Sequence, residues 1–152
     1  MKLQIKNSQN KIKIDKRRIR STVLNIMKIL DCADKEISLY FVDDEKIKQL
    51  NRQYLEKDKA TNVISFSLRE GDYGDINPHI LGDIVISADT AQKDARKGKF
   101  TIEQEIDFLL IHGILHLLGY NHENTTKKET NKMRRKEKDL FTAINGCDIF
   151  LI

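Results

Sequence analysis

Apolar and polar positions alternate with two different periods along this chain, and the switches between them mark its elements. Leu3 and Ile5 alternate with Lys2, Gln4 and Lys6, as in a half-buried first strand. From about Asp15 the spacing becomes helical, with Ile19, Val23, Ile26, Met27 and Leu30 on one face. Ile37, Leu39 and Phe41 alternate again and predict a second strand. Asp43, Asp44 and Glu45 place negative charge where a helix start favours it, and Ile47, Leu50 and Tyr54 supply that helix with an apolar stripe. Glu56 to Lys59 is a charged loop, and Val63 to Leu68 reads as a third strand with Ile64, Phe66 and Leu68 on one side. Residues 70–79, with Gly71, Gly74 and the only proline, Pro78, form a loop.

Leu81 to Ile86 predicts a fourth strand holding a buried-looking Asp83. Ser87 suits the cap of the next helix and Asp89 its first turn, while Arg96, Lys97 and Gly98 mark its end. Thr101 and Gln104 have the spacing of a capping box and open another helix. Thr126 and Glu129 repeat that spacing at the start of a last helix, with Met133, Leu140, Phe141 and Ile144 facing inward and Gly146 ending it. Four short strands and about five helices, in an order too irregular for a doubly wound sheet, predict an α+β fold.

The most apolar stretch is Ile106–His122, and it holds three of the four histidines. His112 and His116 are four residues apart, so on a helix they lie on one face, one turn from each other. Gly119 can end that helix in a left-handed conformation and let the chain bring His122 back beside them. Three imidazoles would then converge on a metal at about 2.0–2.1 Å, with a fourth position open to water.

Length and composition narrow the field. At 152 residues, with 33% charged and 39% apolar residues, the chain fits a single globular domain spanning 1–152. No run reaches the ~18 apolar residues of a membrane helix, and the first residues lack the apolar block of a signal peptide. Cys32 and Cys147 form no metal or disulfide pattern, so a cytoplasmic location is expected. The net charge of +4 is unevenly spread: residues 1–20 carry +7 and residues 127–138 carry +5, leaving −8 elsewhere. Two basic segments on a mildly acidic body suit phosphate backbones; the plainer reading is a solvated helix face. The apolar tail Ile149–Ile152 can pack on the domain or form a contact surface.

The histidines can also be read as core residues satisfied by backbone partners. That reading suits one histidine on an apolar helix. It suits three poorly, because each unpaired buried nitrogen costs roughly 1–3 kcal/mol and one metal satisfies all three. Zinc is the first choice for a three-histidine set with an open position, although nickel and iron also bind imidazoles. The spacing H-x-x-x-H-x-x-G-x-x-H also occurs in metalloproteases, whose general base is a glutamate after the first histidine. Here that residue is Gly113. Glu123 and Asp107 are near in sequence, but no spacing places either at the metal. A substrate that supplies its own hydroxyl, as RNA does at each ribose, asks less of the protein.

The segment His112-Gly-Ile-Leu-His116-Leu-Leu-Gly119-Tyr-Asn-His122 closely resembles the metal-binding motif of the YbeY endoribonuclease family. Lys57-Asp-Lys-Ala-Thr-Asn-Val-Ile-Ser-Phe66 and Leu81-Gly-Asp-Ile-Val-Ile-Ser87 match it in order, and the resemblance covers nearly the whole chain. It implies a zincin-like α+β domain: a small mixed four-stranded sheet flanked by about five helices, with a buried central helix carrying the histidines. It also implies a cytoplasmic, zinc-dependent, single-strand-specific endoribonuclease acting in rRNA maturation, at the small-subunit 3′ end, and in ribosome quality control. The implied ligands are His112, His116 and His122, holding one Zn2+ per chain. The implied partners are single-stranded rRNA and the small ribosomal subunit or its proteins, with neither DNA nor a membrane.

Four positions depart from the family's pattern. Leu55 stands where the family has an arginine thought important for catalysis, Ala60 and Ser67 replace prolines, and Asn121 replaces an aspartate. Arg52, Lys57 and Lys59 are the remaining candidates for phosphate contact. The loss at Leu55 favours a second reading, a non-catalytic assembly factor stabilised by its metal that binds rRNA or a ribosomal protein. A metalloprotease is the third.

Overall fold

The structure is a computed structural model and describes residues 2–68, 79–123 and 125–146. The predicted loop at 70–79 lies outside the described residues except for His79, as do Cys147 and the tail Ile149–Ile152. In chain order the elements are β1 (Lys2–Asn7), α1 (Lys16–Ile29), β2 (Glu36–Val42), α2 (Asp44–Leu55), β3 (Val63–Ser67), β4 (Ile80–Ser87), α3 (Ala88–Gly98), α4 (Ile102–Leu117) and α5 (Lys127–Asn145). The α+β architecture, the mixed four-stranded sheet and the five helices are as the sequence predicts.

Each helix begins at a side-chain cap that satisfies an otherwise unpaired backbone N–H: Asp15, Asp43, Ser87, Thr101 and Thr126. Thr101 and Gln104 form the full capping box. The ends of α2 and α3 are also tied across the fold. Asp44 accepts from the hydroxyls of Ser87 and Thr90, and Asp89 accepts from the Asp44 N–H at 2.8 Å. Burial draws the Asp44 carboxyl upward, but those hydroxyls and the Lys93 ammonium outweigh it and hold it below the usual carboxylate range.

The sheet order is β1-β2-β4-β3. β1, β2 and β4 run parallel, pairing Leu3 with Ile37 and Phe41 with Ile86, while β3 is antiparallel to β4 and forms the edge. One face of the sheet carries Ile37, Leu39, Phe41, Ile84 and Ile86 into the main core with α1, α4 and α5. The other carries Val42, Val85, Ile64 and Phe66 against Ile47 and Leu50 of α2. α4 is buried on nearly every side, as a helix apolar all round must be.

Several expectations need correcting. Tyr54 does not join the buried stripe of α2 but is 59% exposed; the stripe continues instead through Asn51. β3 stops at Ser67, and Leu68 is 47% exposed. Asp83 is half-buried, bonded to Ser38, and its carboxyl is pushed up by desolvation. The left-handed residue ending α3 is Lys99, one beyond Gly98. Among the described residues, no helix is long and apolar enough to cross a membrane.

Candidate metal centre

α4 sets the site. His112 and His116 project from successive turns, their Nε2 atoms 3.1 Å apart. The helix then closes in a double turn made possible by Gly119, whose φ is +99°. Gly119 N–H donates to the His116 carbonyl and Tyr120 N–H to the Leu115 carbonyl, both at 3.0 Å, which satisfies carbonyls that would otherwise be orphaned. This reversal returns His122 to the pair. Its ring centroid lies 4.8 Å from those of both His112 and His116, which are 4.6 Å from each other.

One nitrogen from each ring lies within 4.8 Å of the others, so the three histidines could hold a metal ion. A tetrahedral zinc with bonds of 2.0–2.1 Å needs its nitrogens about 3.4 Å apart; those of His112 and His116 stand 3.1 Å apart, and all three lie within 4.8 Å of one another. Burial, then the neighbouring His112 and His122 rings, push His116 down to about 4, so it is neutral at physiological pH and offers a lone pair. Among the described residues, Nδ1 of His112 and Nδ1 of His122 are buried without hydrogen-bond partners. An all-imidazole donor set suits zinc and equally nickel or iron.

The histidines form the floor of a cleft of about 690 Å³. One wall is the edge strand β3, where Ser65 donates to the Gly113 carbonyl at 3.4 Å. The other is the end of α2 with the loop after it, including Leu55, Lys57 and Lys59. Leu55 is 46% exposed there, so position 55 opens on the cleft. Arg52 is exposed on α2 but is not part of the cleft lining. Phe66 points to the opposite face of the sheet, edge-on to Tyr54 with centroids 5.5 Å apart.

Of the two acids near the motif, Glu123 stands at the rim with Oε1 3.5 Å from His122 Nε2. Asp107 lies elsewhere: it is 1% exposed and paired with Arg18 of α1 at 2.8 Å. The N-terminal basic segment is partly engaged in such internal pairs, since Arg20 donates to the Leu3 carbonyl and Lys11 pairs with Asp89 at 3.0 Å. On α5, by contrast, Lys128, Lys132 and Arg135 are exposed.

Two site residues were missed in the sequence. Asn51, buried, donates to the Lys59 carbonyl at 2.9 Å and pins the loop bearing both lysines against the cleft. Glu137 of α5, also buried, lies with Oε2 3.6 Å from His112 Nδ1. The available signal was the same for both, a polar residue at an inward position of an amphipathic helix.

Residues 4–145 match the family model described as endoribonuclease YbeY. The endoribonuclease YbeY of Syntrophus aciditrophicus is 53% identical over 146 residues, which cover 96% of this chain and 91% of that protein. That of Geobacter sulfurreducens is 42% identical, covering 96% and 97%. A solution structure from Thermotoga maritima superposes with a TM-score of 0.67 at 28% identity, covering 95% of this chain and 89% of that one.

Proposed function

The chain belongs to the endoribonuclease YbeY family, and on that premise we propose that it is a zinc-dependent endoribonuclease specific for single-stranded RNA. Its substrate is rRNA, above all the 3′ end of the small-subunit rRNA. Its setting is ribosome biogenesis and quality control in the cytoplasm, beside the small subunit or its proteins. Residues 1–152 act as one domain.

The observation that carries this reading is the convergence of three imidazoles at the floor of a cleft with lysines in its wall. His112, His116 and His122 would hold one zinc, which when bound supplies Lewis acidity toward the scissile phosphate. The chain's own residues bind and orient the strand. Lys57 and Lys59 hold phosphates from a loop anchored by Asn51. Arg52, outside the cleft, can meet phosphates further along the strand. The exposed cations of α5 extend the positive field that draws RNA in. A single strand can lay its sugar-phosphate link on the cleft floor, whereas a duplex holds its backbone on a rigid cylinder.

The test is incubation of purified protein with single-stranded rRNA fragments, with and without chelator, beside His116→Ala. Chelator-sensitive cleavage that the variant lacks is expected. Protein that carries zinc and binds RNA but never cuts it would instead favour the second reading, a metal-stabilised assembly factor. The observation on that side is Leu55, an alkyl group in the cleft where the family has a guanidinium.

A further inference from the structure

Among the buried residues of α5, Met133, Glu137, Leu140 and Phe141, only Glu137 is charged. A carboxylate 6% exposed on a core face is costly unless a donor meets it. The atom opposite is Nδ1 of His112, 3.6 Å from Oε2 and itself buried without a hydrogen-bond partner among the described residues. An acceptor and a potential donor therefore face each other at just over hydrogen-bond length. The other nitrogen of that ring, Nε2, is on the side of the histidine cluster, 3.1 Å from Nε2 of His116.

We propose that Glu137 is a positioning residue: it accepts the Nδ1–H of His112 and so keeps the Nε2 lone pair directed at the metal. An imidazole in water exchanges between two tautomers and rotates about its Cβ–Cγ bond, and only one arrangement offers Nε2 to the cluster. The carboxylate selects that tautomer, fixes the ring and raises the basicity of the ligating nitrogen. The carboxylate is held in turn by Met133, Leu140 and Phe141, which fasten α5 into the main core. Among the described residues His122 has no comparable support, since Glu123 beside its Nε2 is 67% exposed. The inference rests on the metal reading of the site and not on RNA cleavage.

The test uses metal-free wild type, Glu137→Gln and Glu137→Ala, each checked for folding by circular dichroism. Zinc affinity is measured by competition with a chromophoric chelator, and the His112 tautomer by its ring 15N chemical shifts. Wild type is expected to hold His112 as the Nδ1–H form. Glu137→Ala should lose about 10–100-fold in zinc affinity and lose the tautomer preference. Glu137→Gln keeps an acceptor oxygen, so it should retain the tautomer and lose less than the alanine variant. The proposal is overturned if both variants bind zinc within about twofold of wild type, or if wild-type His112 is the Nε2–H form. Should the alanine variant not fold, the glutamine variant and the wild-type tautomer decide. Wild type that binds no zinc overturns both this inference and the metal reading; wild type that binds zinc without cutting RNA leaves Glu137's role standing.

Discussion

Gly113, between the first two histidines, lies directly against Ile84. A Cβ at position 113 would stand 3.0 Å from Cδ1 and 3.1 Å from Cγ2 of that fully buried side chain. A side chain here would enter the core under the sheet. The glycine therefore does more than withhold a protease's glutamate: it lets α4 pack close on β4. Gly113→Ala is expected to lose about 0–2 kcal/mol, because a gain of roughly 1 kcal/mol in helix propensity is set against overpacking of about 1–3 kcal/mol. Gly113→Glu should lose more than about 3 kcal/mol and gain no peptidase activity. Urea denaturation measures both; a stable Gly113→Glu protein with peptidase activity would refute the packing explanation.

Removing a ligand that binds only the folded state lowers stability by mass action. With zinc at about 100 times its Kd, chelation should remove about 2.7 kcal/mol. For a chain of this size that lowers Tm by roughly 5–10 °C. Calorimetry with and without chelator gives the shift, and His122→Ala should show a smaller one. A wild-type Tm indifferent to chelator, with no metal by elemental analysis, would rule out the three-histidine centre.

Glu105 at the start of α4 is buried, and desolvation followed by the nearby Asp94 charge pushes its carboxyl up to about 7. A carboxyl raised in the folded state stabilises the fold below its ordinary value of 4.5, and that contribution is lost as pH rises toward 7. Glu105→Gln should therefore flatten the decline in stability between about pH 4.5 and 7 and be more stable than wild type at pH 8, by roughly 1–3 kcal/mol. Denaturant melts across that range measure it; parallel pH profiles for the two proteins would contradict the assignment.

Leu55 and the two lysines divide the cleft wall between an absent and a present positive charge. Leu55→Arg should raise RNA cleavage by about tenfold or more while changing stability by less than about 0.5 kcal/mol, as expected for an exposed position. Lys57→Gln with Lys59→Gln should weaken binding evenly across RNA sequences. It should also reduce the salt slope of binding by roughly 1.4, the value for two phosphate contacts on a single strand. Cleavage that does not respond to Leu55→Arg would mean that the guanidinium position is dispensable in this chain.

What could be read from the sequence alone was local. The caps at Ser87, Thr101 and Thr126 are realised as predicted, the helix starts near Asp15 and Asp43 fall where the pattern put them, and so do the left-handed turn at Gly119 and the helix end at Gly146. The meeting of His112, His116 and His122 was legible for the same reason, since one helical turn and one reversal bring them together. Tertiary contacts decided the rest. The place of β4 between β2 and β3, the pairing of Arg18 with Asp107 across 89 residues and the approach of Glu137 to His112 all join distant parts of the chain. Asn51 and Tyr54 exchange the roles their hydrophobicity suggests because the loop at Lys59 needs a buried donor and the sheet leaves Tyr54 at its margin. Periodicity tells which face of an element turns inward; which element meets that face depends on packing between segments that share no local pattern.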